Sequence, residues 1–146
     1  MKHLLVSVLL LVIVSTTYSQ QSEIFAPNGK AIQGYDPVSF FKTSKAIPGS
    51  DSLVYEYKRA KWLFSSLENL NLFKESPERY EPQFGGYCAY GTAEGHKAPT
   101  ETGTWSIVGG KLYFNYNEKV KSLWVKDQAE LIEKANANWP LIKDKE

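Results

Sequence analysis

Thirteen residues, Phe84-Gly85-Gly86-Tyr87-Cys88-Ala89-Tyr90-Gly91-Thr92-Ala93-Glu94-Gly95-His96, constrain this chain more than any other stretch. Four glycines punctuate them, so the backbone can turn sharply here and approach another segment closely. The stretch holds the single cysteine and the only histidine beyond His3. Phe84, Tyr87 and Tyr90 crowd the thiol. A reactive or ligand-binding centre is therefore expected here first.

The start of the chain reads differently. Lys2 and His3 precede an apolar run from Leu4 to Val14, followed by Ser15-Thr16-Thr17-Tyr18-Ser19-Gln20. A positive start, a short apolar core and small residues at Thr17 and Ser19 form a secretory leader over residues 1–19. The apolar run is too short to span a bilayer. The expectation is an exported protein, periplasmic or secreted, with no stable membrane anchor after cleavage. Against 17 basic and 16 acidic residues in the whole chain, the leader removes Lys2 and no acid, leaving a formal balance. That balance argues against nucleic acid as a partner. The remainder is large enough for one core, and one cysteine allows no internal disulfide.

Taken in order, residues 20–30 read as an extended arm with a turn at Pro27-Asn28-Gly29. Ala31–Tyr35 reads as a short strand ending at Gly34. Asp36-Pro37 opens a short helix, with Asp36 as N-cap and Pro37 in the first helical position. Lys42–Ser52 is a polar loop. Leu53–Tyr57 and Trp62–Phe64 form a hairpin around a turn at 58–61. Ser65 or Ser66 then caps a helix ending near Glu75. Ser76-Pro77 opens another, closed by Pro82. After the glycine-rich stretch, Trp105–Val108 and Lys111–Tyr116 form a second hairpin around Gly109-Gly110. Asn117 and Asp127 cap two closing helices, the last ended by Pro140. No internal repeat is evident. Short strands mixed with short helices predict an α+β fold, a small antiparallel sheet of hairpins packed with several short helices.

Three kinds of chemistry are open to the central stretch. For a metal, Cys88 and His96 are the candidate ligands, with Glu94 or Glu101 as a third, and a homodimer would offer Cys2His2. Thiolate with imidazole suits Cu(I), which needs few ligands. For catalysis, Cys88 and His96 form a candidate nucleophile–base pair, oriented by Glu94 or Glu101. Cys88 would be activated if a helix begins after Gly86. The third reading keeps Cys88 as a small buried hydrophobe. Binding then falls to aromatics lining a pocket, with Tyr87, Tyr90, Tyr35 and Trp105 as the candidates. In this reading His96 is a solvated loop residue and Asp36 a helix cap.

Several strings also carry a likeness. Gly34-Tyr35-Asp36-Pro37-Val38-Ser39-Phe40-Phe41 resembles the opening of YHS-domain proteins. Trp62-Leu63-Phe64-Ser65-Ser66 with Asn69, Phe73, Pro77, Tyr80 and Pro82 resembles the middle of that family. Gly85–Gly91 resembles its glycine–cysteine segment, and Leu112–Asn117 and Ala135–Pro140 its end. The similarity spans residues 31–142, between the 20–30 arm and a 143–146 tail. The resemblance implies a small exported YHS domain without catalysis that binds or handles a heavy metal, copper or zinc, through cysteine. Related domains use several cysteines, so only Cys88 carries over. The working expectation is a metal-handling module centred on Cys88, with a non-metal ligand or protein-interaction domain as the alternative.

Overall fold

The structure is a computed structural model, and it describes residues 22–145. The leader lies outside the described residues. The fold is α+β, as expected, but the strands form two separate antiparallel hairpins. The elements are α1 (Pro37–Lys42), β1 (Ser50–Tyr57), β2 (Ala60–Phe64), α2 (Leu67–Glu75), α3 (Pro77–Tyr80), α4 (Ala89–Ala93), β3 (Ser106–Val108), β4 (Lys111–Tyr113), α5 (Glu118–Lys126) and α6 (Gln128–Ile142).

Local chemistry explains most of the boundaries. Asp36 Oδ1 accepts from the Val38 N–H, capping α1, with Pro37 next to it. The Ser66 hydroxyl accepts from Asn69 N–H and starts α2; Asn117 Oδ1 accepts from Val120 N–H and starts α5. Each cap satisfies a donor that has no partner inside its own helix. Asp127 does not cap α6 through its side chain, and α6 runs through Pro140 instead of ending there. A proline in a helix lacks an N–H for the carbonyl four residues earlier, here that of Asn136.

Residues 31–34 are not a strand. Ile32, Gln33 and Gly34 take φ of 49°, 54° and 85°, making a left-handed turn. The β-branched Ile32 reads locally as strand, but its side chain is needed in the core, where it is 6% exposed. The tertiary packing holds a backbone conformation that β-branched residues avoid. A second left-handed turn follows at Phe84, Gly85 and Gly86, with φ of 55°, 60° and 86°.

These two turns reveal a repeat that was not evident from the sequence. The first turn leads through Tyr35 to the cap Asp36 and helix α1; the second leads through Tyr87 to the cap Cys88 and helix α4. Lys30, before the first turn, bridges in parallel to Lys61 of β2, and Pro82, before the second, bridges in parallel to Leu112 of β4. The hairpin turns Lys58-Arg59 and Gly109-Gly110 correspond, and so do the nine-residue helices α2 and α5, each 51 positions apart (58 to 109, 67 to 118). Phe73 and Trp124, both fully buried, hold the same place in those two helices. Two similar halves are thus laid side by side in one domain.

Two clusters form the core. The larger cluster gathers Phe40, Trp62, Phe64, Phe73 and Phe114 around the first hairpin. The smaller gathers Phe84, Tyr113, Trp124, Leu131 and Ala135 under α4 and α6. The N-terminal arm joins them. It is not a free extension: Ile24 is buried in the larger core, Phe25 N–H donates to Gly85 C=O at 2.9 Å, and the Tyr87 hydroxyl donates to Ser22 C=O at 2.9 Å. Among the described residues, no helix is long and apolar enough to cross a membrane.

Candidate functional site

The segment after Gly86 is helical, and Cys88 is the N-cap of α4. Its Sγ accepts from the backbone N–H of Gly91 at 3.4 Å and of Tyr116 at 3.3 Å. The thiol faces Asn115 Oδ1 at 3.7 Å, and that oxygen also accepts from Tyr90 N–H at 3.2 Å. Cys88 is 1% exposed. Burial pushes its thiol above the ordinary range, and the N–H groups of Gly91, Tyr116 and Tyr90 only partly offset this. At the N-terminus of α4, burial of the thiol thus outweighs the N–H groups that favour its thiolate.

Asp36, at the matching place in the first half, uses the same scheme. One oxygen caps α1 at Val38; the other accepts from Ser65 N–H, Ser65 O–H and Asn69 Nδ2 at 2.9, 2.6 and 2.7 Å. Ser65 follows β2 as Asn115 and Tyr116 follow β4. In both halves the cap residue ties its short helix to the chain leaving the hairpin. The Cys88 site differs in one respect: the Asn115 Nδ2 group is buried without a hydrogen-bond partner among the described residues.

His96 is exposed, and its backbone N–H bonds the Gly91 carbonyl. No hydrogen bond joins it to Cys88 among the described residues. Glu94 and Glu101 are exposed as well. Among the described residues no group of three or more His, Cys, Asp and Glu side chains stands ready to hold a metal ion. The four candidate aromatics do not meet in one pocket. Tyr35 and Trp105 pack on the larger core and Tyr90 on the smaller. Tyr87 lines an open groove of about 420 Å³ beside Phe25, Lys97 and Pro99.

A different cavity, of about 180 Å³, lies where the arm, the first hairpin turn, the second left-handed turn and α6 meet. Glu23, Lys58, Glu81, Phe84, Asn136 and Trp139 line it. Lys58 Nζ lies 3.0 Å from a Glu81 carboxylate oxygen and 3.4 Å from Glu23 Oε1. The Glu81 side chain is only 13% exposed. Burial raises the Glu81 carboxyl above the ordinary range, against the pull of Lys58. Burial also pulls the Lys58 ammonium down, but its bonds to Glu81 and the field of Glu23 outweigh that and hold it above the ordinary value.

Sequence reasoning missed this pocket. Its charged members are far apart in the chain: the hairpin turn brings Lys58 to Glu81, and docking of the arm adds Glu23. One signal was available: Lys58-Arg59 occupies a tight hairpin turn with both φ positive, 50° and 61°. Such turns favour Asn-Gly or Gly-Gly, and the matching turn in the second half is Gly109-Gly110.

No known family model, no curated protein and no solved structure matches this chain.

Proposed function

We propose that this protein is an exported, non-catalytic small-ligand-binding domain of the YHS type, with Cys88 as a structural cap and the cavity beside Lys58 as its binding site. The carrying observation is the strained Lys58-Arg59 turn at the mouth of that cavity. A left-handed non-glycine residue costs about 1–2 kcal/mol. The other half of the same fold makes the same turn with glycines, at no such cost. Strain of this kind persists where a side chain must be held in place, and Lys58 is held between two carboxylates inside a pocket. The metal-handling reading centred on Cys88 and His96 is the competing one. A buried thiol already accepting two N–H bonds, and an exposed histidine not bonded to it, weigh against it.

The test uses the turn itself. Arg59→Gly is expected to raise stability by about 1 kcal/mol in urea unfolding, since Arg59 is exposed and only its backbone is strained. Lys58→Gly with Arg59→Gly is expected to fold and to change the affinity of ligands at the cavity, because it removes the cation that now neutralises Glu23 and Glu81. A screen of small fragments of mixed charge, followed by NMR, reads this. Hits that shift the Trp139 indole and bind the wild type and the double variant with different affinity support the proposal. Hits that ignore the cavity, or metal ions that shift the Gly91 and Tyr116 amides, would overturn it.

A further inference from the structure

We infer that the cavity between the arm, the first hairpin and α6 takes a small organic cation of the primary-amine class, its ammonium on Glu81 and Glu23 and its hydrocarbon against Trp139 and Phe84. The inference rests on the reading of this cavity as the binding site. It adds the chemistry of the ligand.

Charge balance is the first argument. The cavity holds two carboxylates that share one ammonium, a formal surplus of negative charge. Glu81 is the more deeply buried of the two acids, and a second cation beside it would relieve the unfavourable burial of its charge. Lys58 Nζ already shows how an ammonium sits there, within 3.1 Å of both Glu81 oxygens.

The hydrogen-bond inventory is the second argument. Lys58 Nζ is committed to Glu23 and Glu81, and Gln83 and Asn136 also line the cavity with side-chain amides that can accept as well as donate. An ammonium is the group that brings three donors and no acceptor to such a wall.

The aromatic wall is the third. Phe84 and Trp139 pack edge to face with ring centroids 6.0 Å apart, and both reach the cavity. They supply apolar surface for a short hydrocarbon and a π face that favours a cation over an anion. A space of about 180 Å³ limits the ligand to a small molecule.

The experiment compares three probes of one shape: 2-phenylethylamine, 2-phenylethanol and 3-phenylpropanoate, titrated into the labelled protein with the Trp139 indole N–H followed by NMR. The amine is expected to give a saturable shift. The alcohol should bind at least about tenfold more weakly, the loss of one charge-assisted contact, and the carboxylate should not bind. Glu81→Gln should weaken the amine by about tenfold and leave the alcohol unchanged. Should Glu81→Gln not fold, Glu23→Gln, at the more exposed acid, serves as the variant and should weaken the amine several-fold. If the alcohol binds as well as the amine, or the glutamate variants bind the amine normally, the cation inference is wrong while the cavity remains the site. If none of the three probes moves Trp139, both the inference and the reading beneath it fail.

Discussion

Gly85→Ala is expected to unseat the N-terminal arm. A Cβ on Gly85 would lie 1.7 Å from the Glu23 carbonyl oxygen and 2.9 Å from its carbon, a clash with backbone that has no side-chain freedom to yield. Gly85 also carries φ of 60°. The arm must therefore lift, which breaks the Phe25-to-Gly85 hydrogen bond and exposes Ile24, now 1% accessible. Stripping one large aliphatic side chain from a core costs about 2–5 kcal/mol, and the left-handed alanine adds about 1 kcal/mol. Urea unfolding should show a loss of at least about 3 kcal/mol, and hydrogen exchange at the Phe25 amide should accelerate. Gly109→Ala is the control. Its φ is 57°, but nothing lies within 4 Å of the new Cβ, so a loss of only about 1 kcal/mol is expected. Equal losses in the two variants would mean that the arm does not pack on Gly85.

Asp36→Ala should be the next most damaging change. Asp36 is 0% exposed and accepts four hydrogen bonds from three residues. Alanine would remove the α1 cap, leave the Ser65 N–H without its acceptor and leave the buried Asn69 amide only its longer bond to the Ser65 hydroxyl, 3.4 Å. A lost cap costs about 1 kcal/mol, and each stranded buried donor about 1–3 kcal/mol. A total near 3 kcal/mol is expected in urea unfolding. Asp36→Asn should recover much of the loss, because its amide oxygen can accept from Ser65 and Asn69 and only the Val38 cap would then face an NH2. Asp127→Ala makes the contrast. Asp127 has no side-chain bond to the start of α6, so its loss should stay within about 0.5 kcal/mol. A mild Asp36→Ala would show that the Asp36 network does not hold the first half to its hairpin.

Much of the fold is legible along the chain, for a local reason. Caps, turn glycines and prolines act on their own neighbours, and so Asp36-Pro37, Ser66, Asn117 and Gly109-Gly110 all mark true boundaries. Where the sequence misleads, a distant segment decides. Ile32 is forced into a left-handed turn by the core it fills. Pro140 sits inside α6 because the helix is held by its packing on α4. The duplication is nearly silent in residue identity. Only Gly34-Tyr35 and Gly86-Tyr87 still match around the caps, while Asp36 faces Cys88 and Lys58-Arg59 faces Gly109-Gly110. Those two differences are the informative ones. The first makes Cys88 a cap in the place of a carboxylate; the second marks the cavity.

The candidate site was legible only in part. The glycine-rich stretch is where the two halves and the arm meet, as its composition suggests. Gly85 is glycine because Glu23 passes over it, which depends on the arm and leaves no trace nearby. Cys88 and His96 share that stretch, yet one is buried at a helix start and the other exposed past the helix end.

The assignment of Cys88 as a structural cap is tested most directly by its native-state labelling. Reaction of Cys88 with an aromatic disulfide reagent would be followed in buffer across a urea series, with and without one equivalent of zinc or Cu(I). The structure predicts labelling only through opening of the domain. Its rate should track global stability, and metal should leave it unchanged. Rapid labelling in buffer, suppressed by one equivalent of metal and accompanied by tight binding that Cys88→Ala abolishes, would contradict the assignment and restore Cys88 as a ligand.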